Sequence, residues 1–443
     1  MIDLIISSSR EVAMKENKRY RWVVVGIFFA FMLLHQTDKL LIGPLKGAIS
    51  EDFHITNTQF GLVITGALIV GTILYPIWGY LYDKYARAKL LALASFIWGS
   101  TTWLSAIAPT YPIFVATRAS TGIDDSSYPG LYTLIADYFE PQMRSKVYGI
   151  LQLSQPLGYL IGMLLALMLA PSIGWRTVFY ITGSLGLIIA VMIFFGVREM
   201  PRGKSEPEFE EMDEVPQFRF SWKEAKQLFQ KRTMWFVFLQ GFTGVFPWNV
   251  ITYFFFDYLA KERGYDENSI LMTMGPVILI LAGGYFLGGA LGDWAFKRTR
   301  KGRIIVANTG IFFGAFFLYF ALQTPIAARG QFFILMALSA LFMPMPSPNT
   351  PAIVYDIIAP EVRSTAQALE YFIESSGAAF APLLAGIISD AFNMETAIRS
   401  ISLTAWALCF LFYFGALKYI EGDIQSLRDK MASRAHETET SAG

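Results

Sequence analysis

The chain has 443 residues, 54% of them hydrophobic and 16% charged, with 36 Lys and Arg against 35 Asp and Glu. Soluble domains carry roughly 25% charged residues, so this composition, with a mean hydropathy of +0.43, excludes an ordinary water-soluble globule. The net charge of +1 gives no sign of a nucleic-acid partner, and a single cysteine, Cys409, leaves no role for disulfides.

Residues 1–20 open with MIDLIISSSREVAMKENKRY, a short apolar patch before a charged stretch. It does not resemble a cleaved signal peptide. Crossing the hydrocarbon of a bilayer takes about 20 apolar residues, and twelve runs of that kind follow. Six lie at 21–46, 57–81, 88–108, 111–138, 145–170 and 174–197. Six more lie at 233–259, 268–292, 303–323, 328–357, 363–390 and 394–420. The expected fold is an all-α integral membrane protein, its twelve transmembrane helices arranged as two six-helix pseudo-symmetric bundles. The domains are then an N-terminal segment 1–20, a bundle 21–197, a linker 198–232, a second bundle 233–420 and a tail 421–443. The linker is charged, and within it SWKEAKQLF reads as a short surface helix. Most Lys and Arg outside the spans fall in KYARAK, KRTRKGR and the linker, so the positive-inside rule places both termini in the cytoplasm. A plasma (inner) membrane is the expected location and a monomer the expected state.

The two halves repeat. Gly79 and Asp83 match Gly289 and Asp293 at an offset of 210, and Asp137, Pro141, Arg144 and Ser145 match Asp356, Pro360, Arg363 and Ser364 at 219. Gly158 with Gly377 and Pro129 with Pro348 keep the second offset. Parallel six-span repeats are the plan of one large transporter class. The stretch Gly79, Leu81, Asp83, Lys84, Arg87 resembles the cytoplasmic loop signature of the major facilitator superfamily. Within that superfamily, Arg118, Gly122, Asp125, Ser127 and Tyr128 resemble the fourth-span pattern of the Spinster family, with Asp125 in place of its Glu and Asp124 in place of a Gly. VREMPRG after the sixth span and RSTAQAL…GIISD in the eleventh are also similar to Spinster sequences. Where that family has Asp-Arg in the first span, this chain has Asp38-Lys39.

A charge at bilayer depth costs about 2.5–3.5 kcal/mol on insertion scales, so Arg118, Asp124 and Asp125 need an explanation. On a helix Arg118, Gly122 and Asp125 share one face. Arg118 and Asp125 are about 10 Å apart along the axis, so each is expected to find a partner on another helix. Asp124 points elsewhere, toward a neighbouring helix. The alternative is a salt-bridge network that only locks the bundle. The resemblance implies that Asp38 and Asp125 are the protonation sites. Desolvation raises a carboxylate pKa and a nearby cation lowers it, so moving the cation between conformers would switch proton affinity. His35, one turn before Asp38, is read as a packing residue.

The tenth span contains FMPMPSPNTPA, whose four prolines forbid a regular helix. SSYPG is its counterpart in the first half, and paired interruptions point to a central site. Lys39, Arg118, Tyr128, Gln155, Trp248, Asn249, Asn349, Glu370 and Glu374 are the candidate substrate-binding residues. Asp83, Arg87, Asp137, Arg144, Asp293, Asp356 and Arg363 form the expected conformational latch at the cytoplasmic helix ends. No metal-spaced His/Cys set, nucleophile motif or GxxxxGK[ST] phosphate loop is present, so neither catalysis, a metal nor a cofactor is expected. The function read from all this is secondary transport by alternating access, coupled to protons. The substrate implied by resemblance is an amphipathic lipid such as a lysophospholipid or sphingoid phosphate. A small organic anion is the alternative, because one buried Arg suits a carboxylate; a non-transporting receptor is a third reading.

Overall fold

In the computed structural model the described residues are 2–125, 127–139, 141–200, 228–358 and 363–429. Side chains are described from residue 19 onward, leaving out those at 83, 125, 129, 136, 141–142, 144–146, 149, 363–365 and 367–368. Almost all of these residues are helical, and no strand occurs among them. Eleven helices among the described residues are long and apolar enough to cross a membrane. The remaining crossing is the fourth, where Gly122, Pro129 and two aspartates interrupt the apolar run. It runs as three pieces, Tyr111–Ser120, Gly122–Asp125 and Tyr128–Tyr138.

The first span ends the long helix Ile2–Leu41, and a short helix over Lys46–Phe53, which the apolar pattern did not signal, leads to the second, Asn57–Lys84. The third and sixth are Arg87–Ile107 and Trp175–Gly196. The fifth is assembled from Pro141–Gln152, Ser154–Leu164, a π-helical turn Leu165–Leu169 and Ala170–Ile173. The seventh, eighth and ninth are Arg232–Lys261, Glu267–Arg298 and Gly302–Gln323. The tenth breaks at its prolines into Arg329–Phe342 and Pro346–Ile357, as the missing amide donors require. The eleventh and twelfth are Arg363–Ala391 and Met394–Ala416. The expected linker helix over SWKEAKQLF lies almost wholly outside the described residues.

The chain forms two compact units: one comprises Met1–Leu45 and Ile69–Gln217, the other Lys46–Leu68 and Phe218–Gly443. The start of the second span therefore belongs with the second repeat. In the first unit, Phe28, Phe31, Trp98, Leu131, Phe139 and Ile193 form part of one buried apolar core. Without a hydrophobic drive between helices in lipid, close packing through small residues brings spans together. A methyl on Gly158 would lie 2.7 Å from Cβ of Gln36, so the fifth span sits directly on the first span beside Asp38. The repeat carries the same device. Gly377 on the eleventh span packs onto the backbone of Phe242 on the seventh with no room for a side chain. In the first unit, a methyl on Gly99 would lie 2.7 Å from the Leu187 nitrogen and 2.8 Å from the Gly183 oxygen, so the third and sixth spans are also in backbone contact.

Candidate functional site

That close packing builds a cage around Asp38. The residue is 1% exposed. Its Oδ2 accepts hydrogen bonds from Trp98 Nε1 at 3.1 Å, Thr102 Oγ1 at 3.0 Å and Arg118 Nη1 at 3.3 Å. Its Oδ1 accepts from Thr182 Oγ1 at 2.8 Å. Donors thus come from the third, fourth and sixth spans, and Arg118 is the ion-pair partner. The Arg118 guanidinium also lies 5.1 Å from the centre of the Phe179 ring, a desolvated seat that suits its planar, weakly hydrated head. Arg118 thus meets a carboxylate on another helix. Lys39, next in sequence, is half-buried.

His35, expected as a packing residue, is buried against the rings of Phe31, Trp98 and Tyr128. It carries polar contacts as well: its Nε2 lies 2.5 Å from Asp124 Oδ2, and both side chains are almost wholly buried. Its Nδ1 meets the Tyr128 hydroxyl, to which Gln36 also donates at 3.4 Å. Asp124, expected to point off the Arg118 face toward a neighbouring helix, meets the first span. One helical piece ends at Asp125 and the next begins at Tyr128, and Asp124 and Tyr128 address one imidazole from its two sides. The side chain of Asp125 lies outside the described residues.

In the second unit, Asn349 is 2% exposed and donates to the carbonyls of Gly288 at 2.9 Å and Met345 at 2.8 Å. It holds the broken tenth span against the eighth. Asn249 is buried and donates back to Val245 of its own helix at 2.9 Å, while Trp248 is half-buried. Glu370 is buried and Glu374 half-buried, one turn apart on the eleventh span. Thr350 and Tyr413 join the tenth and twelfth spans through their hydroxyls at 2.6 Å. Gln155 is exposed.

The helix ends carry two charge hubs. Arg87, 4% exposed at the first residue of the third span, pairs with Asp137 at 2.5 Å and Glu199 at 2.8 Å. Glu199 also accepts from the Ala88 amide at 2.9 Å. A cation at a helix N-terminus opposes the dipole there, so it needs carboxylates, and the sequence reading missed Glu199. The signal was the Arg-Glu pair directly after the sixth span. In the second repeat the hub is Arg303, the second residue of the ninth span, which pairs with Asp293 at 3.0 Å and with Asp356. Arg303 was not among the expected latch residues, and the side chains of Asp83, Arg144 and Arg363 lie outside the described residues. A further pair was missed altogether. Lys46, fully buried, lies 2.5 Å from Asp257 Oδ2 and 2.5 Å from Asn57 Oδ1.

Residues 27–329 match the family model described as Major Facilitator Superfamily. The chain is 25% identical over 392 residues to protein spinster homolog 1 of Xenopus tropicalis, an alignment covering 84% of this chain and 73% of that protein. It is equally 25% identical over 383 residues to the hexuronate transporter of Bacillus subtilis, covering 82% and 87%. Among solved structures, a bacterial homolog of the human lysosomal transporter Spinster, in an inward-facing and unoccupied conformation, matches with a TM-score of 0.80. That match covers 91% of this chain and 98% of the other at 20% identity, a likeness of fold.

Proposed function

The chain belongs to the major facilitator superfamily and is a Spinster-like transporter; from that premise we propose that it works by alternating access, is coupled to protons, and moves an amphipathic lipid such as a lysophospholipid or sphingoid phosphate. The observation that carries this reading is the buried Asp38–Arg118 pair. A proton on Asp38 cancels the charge that holds Arg118, and the guanidinium is then available to an anionic headgroup. Loss of the proton lets Asp38 recapture Arg118 and weakens the hold on that headgroup. Binding of proton and anion are thereby linked, and the linkage is reciprocal. Asp125, in the place of the Spinster glutamate, is the second protonation site in this reading, and Glu370 and Glu374 are the candidate substrate-binding carboxylates of the second repeat. The Met- and Phe-rich seventh and tenth spans favour a lipid chain over a wholly polar solute. The Lys and Arg distribution puts both termini in the cytoplasm.

The test is uptake into proteoliposomes under an imposed pH gradient, across a panel of lysolipids and short organic anions. Asp125→Asn imitates the protonated carboxyl, so it folds, exchanges substrate and loses gradient-driven accumulation, while Asp125→Glu keeps coupling. Accumulation by Asp125→Asn equal to the parent's removes that residue from the mechanism and leaves Asp38. The second reading, a proton-coupled organic-anion symporter, is supported by the similarity to the hexuronate transporter. Saturable uptake of a short dicarboxylate with no competition from lysolipid selects it.

A further inference from the structure

We infer that His35, Asp124 and Tyr128 form a further proton-binding site in the first unit, separate from Asp38 and Asp125. The proposal rests on the proton-coupled reading for its consequence in transport, and its test does not. Asp124 is 1% exposed and is in ion-pair contact with the imidazole of His35, which is 3% exposed. With His35 neutral and its proton on Nε2, that nitrogen faces the Asp124 carboxylate while Nδ1 accepts from the Tyr128 hydroxyl. That state leaves the Asp124 carboxylate buried in contact with the imidazole, which itself packs on Phe31 and Trp98. A proton arriving from water binds at Nδ1. Nδ1–H then donates to the Tyr128 oxygen, whose own hydrogen rotates away, and the pair becomes an imidazolium and a carboxylate with no net charge. A carboxylate in contact with the imidazole favours the imidazolium over the neutral ring, so the site holds a proton while the two stay in contact and yields it when water reaches Asp124.

The groups around it support a site of its own. On the first span Asp38 lies one turn from His35, held by its four donors and paired with Arg118 of the fourth span. The third span contributes Trp98, which carries no titratable proton near neutral pH: its indole donates to Asp38 while its ring stands edge-on to the imidazole at 5.3 Å. The second span contributes Tyr82, in electrostatic reach of Asp124. The fifth span presents the small Gly158 to Gln36, and the sixth gives Thr182 to Asp38. Trp98 thus separates two acidic sites and touches both. Asp124 stands where the Spinster pattern has glycine, so this site is a departure of this chain from that pattern.

The chain has three histidines, so a protein labelled with 15N-histidine in nanodiscs resolves His35 by comparison with His35→Gln. The expected result is a change of the His35 ring nitrogens from imidazolium to neutral imidazole between about pH 5 and about pH 9, the range in which histidine switches. Asp124→Asn moves that midpoint down by at least a unit, about tenfold in proton affinity. Tyr128→Phe moves it less, and Asp38→Asn leaves His35 titrating. A His35 that stays neutral, or stays charged, over the whole range in the parent overturns the proposal, and that result needs no variant to fold. Loss of transport in Asp38→Asn with His35 still titrating bears on the Asp38 mechanism alone.

Discussion

Replacing Lys46 with methionine takes away a cation that has no exposed surface. In the parent its ammonium touches Asp257 and Asn57 and lies 5.5 Å and 5.6 Å from the rings of Phe60 and Phe254. It stands beyond the end of the first span, and burial pulls its pKa below the ordinary lysine value against the charge and hydrogen bond of Asp257. Methionine keeps the apolar stem between the two rings but leaves the Asp257 carboxylate, itself 5% exposed, without its buried partner. Breaking a buried pair from one side costs about 3–5 kcal/mol. Lys261 also reaches Asp257, at 3.1 Å, from a half-exposed position, which argues for the lower end, about 3 kcal/mol. Removing both charges in Lys46→Met with Asp257→Leu recovers most of that loss, because a well-packed apolar pair of similar volume is close to neutral or better. Reversible unfolding in mixed micelles, run as a double-mutant cycle, reads the coupling directly. The pH dependence gives a second check. With the folded pKa below the unfolded one, the folded protein binds fewer protons in the window between them. The part of the slope due to Lys46 is therefore a gain in stability as pH rises toward the ordinary lysine value, and it is absent from the double variant. A single variant within about 0.5 kcal/mol of the parent, or two singles that simply add, refutes the reasoning.

Asp38→Asn keeps the shape of the cage but removes the charge held against Arg118, so the protein is expected to assemble and to lose dependence of transport on a pH gradient; an undiminished gradient response in proteoliposomes counts against it. Arg87→Gln is expected to cost about 3–5 kcal/mol, as for a buried hub. Arg303→Gln costs nearer 1 kcal/mol, because Asp293 is 69% exposed and screened by solvent; equal losses in unfolding experiments contradict that ranking. Gly99→Ala forces a methyl into the backbone of the sixth span and is expected to cost about 1–3 kcal/mol. Gly79→Ala meets nothing within 4 Å and is its neutral or slightly stabilising control, so matched melting temperatures would show that the close contact does not bear on stability.

Much of the architecture was legible from residue type and spacing. Apolar runs of bilayer length located every crossing, because lipid leaves a backbone no hydrogen-bond partner except its own helix. Prolines located the break in the tenth span, since a missing amide is a local property. The repeat announced that Gly158 and Gly377 would do the same work, and Asp38 and Arg118 stood out because charges are rare at that depth. Pairing is what spacing could not supply. His35 is an ordinary residue on an apolar face until the fourth span breaks and turns Asp124 onto its Nε2. Glu199 and Arg303 became hubs only when helix ends distant in sequence met, and Lys46 is merely the last residue of an apolar run until Asp257 and two phenylalanines close over it. Asn349, chosen from sequence for its place beside the prolines, spends its amide on the carbonyls of Gly288 and Met345. A sequence shows which groups are too costly to leave in hydrocarbon alone. Which partner offsets that cost depends on interhelical distances of a few ångströms, and those are set by the packing of small residues across the whole bundle.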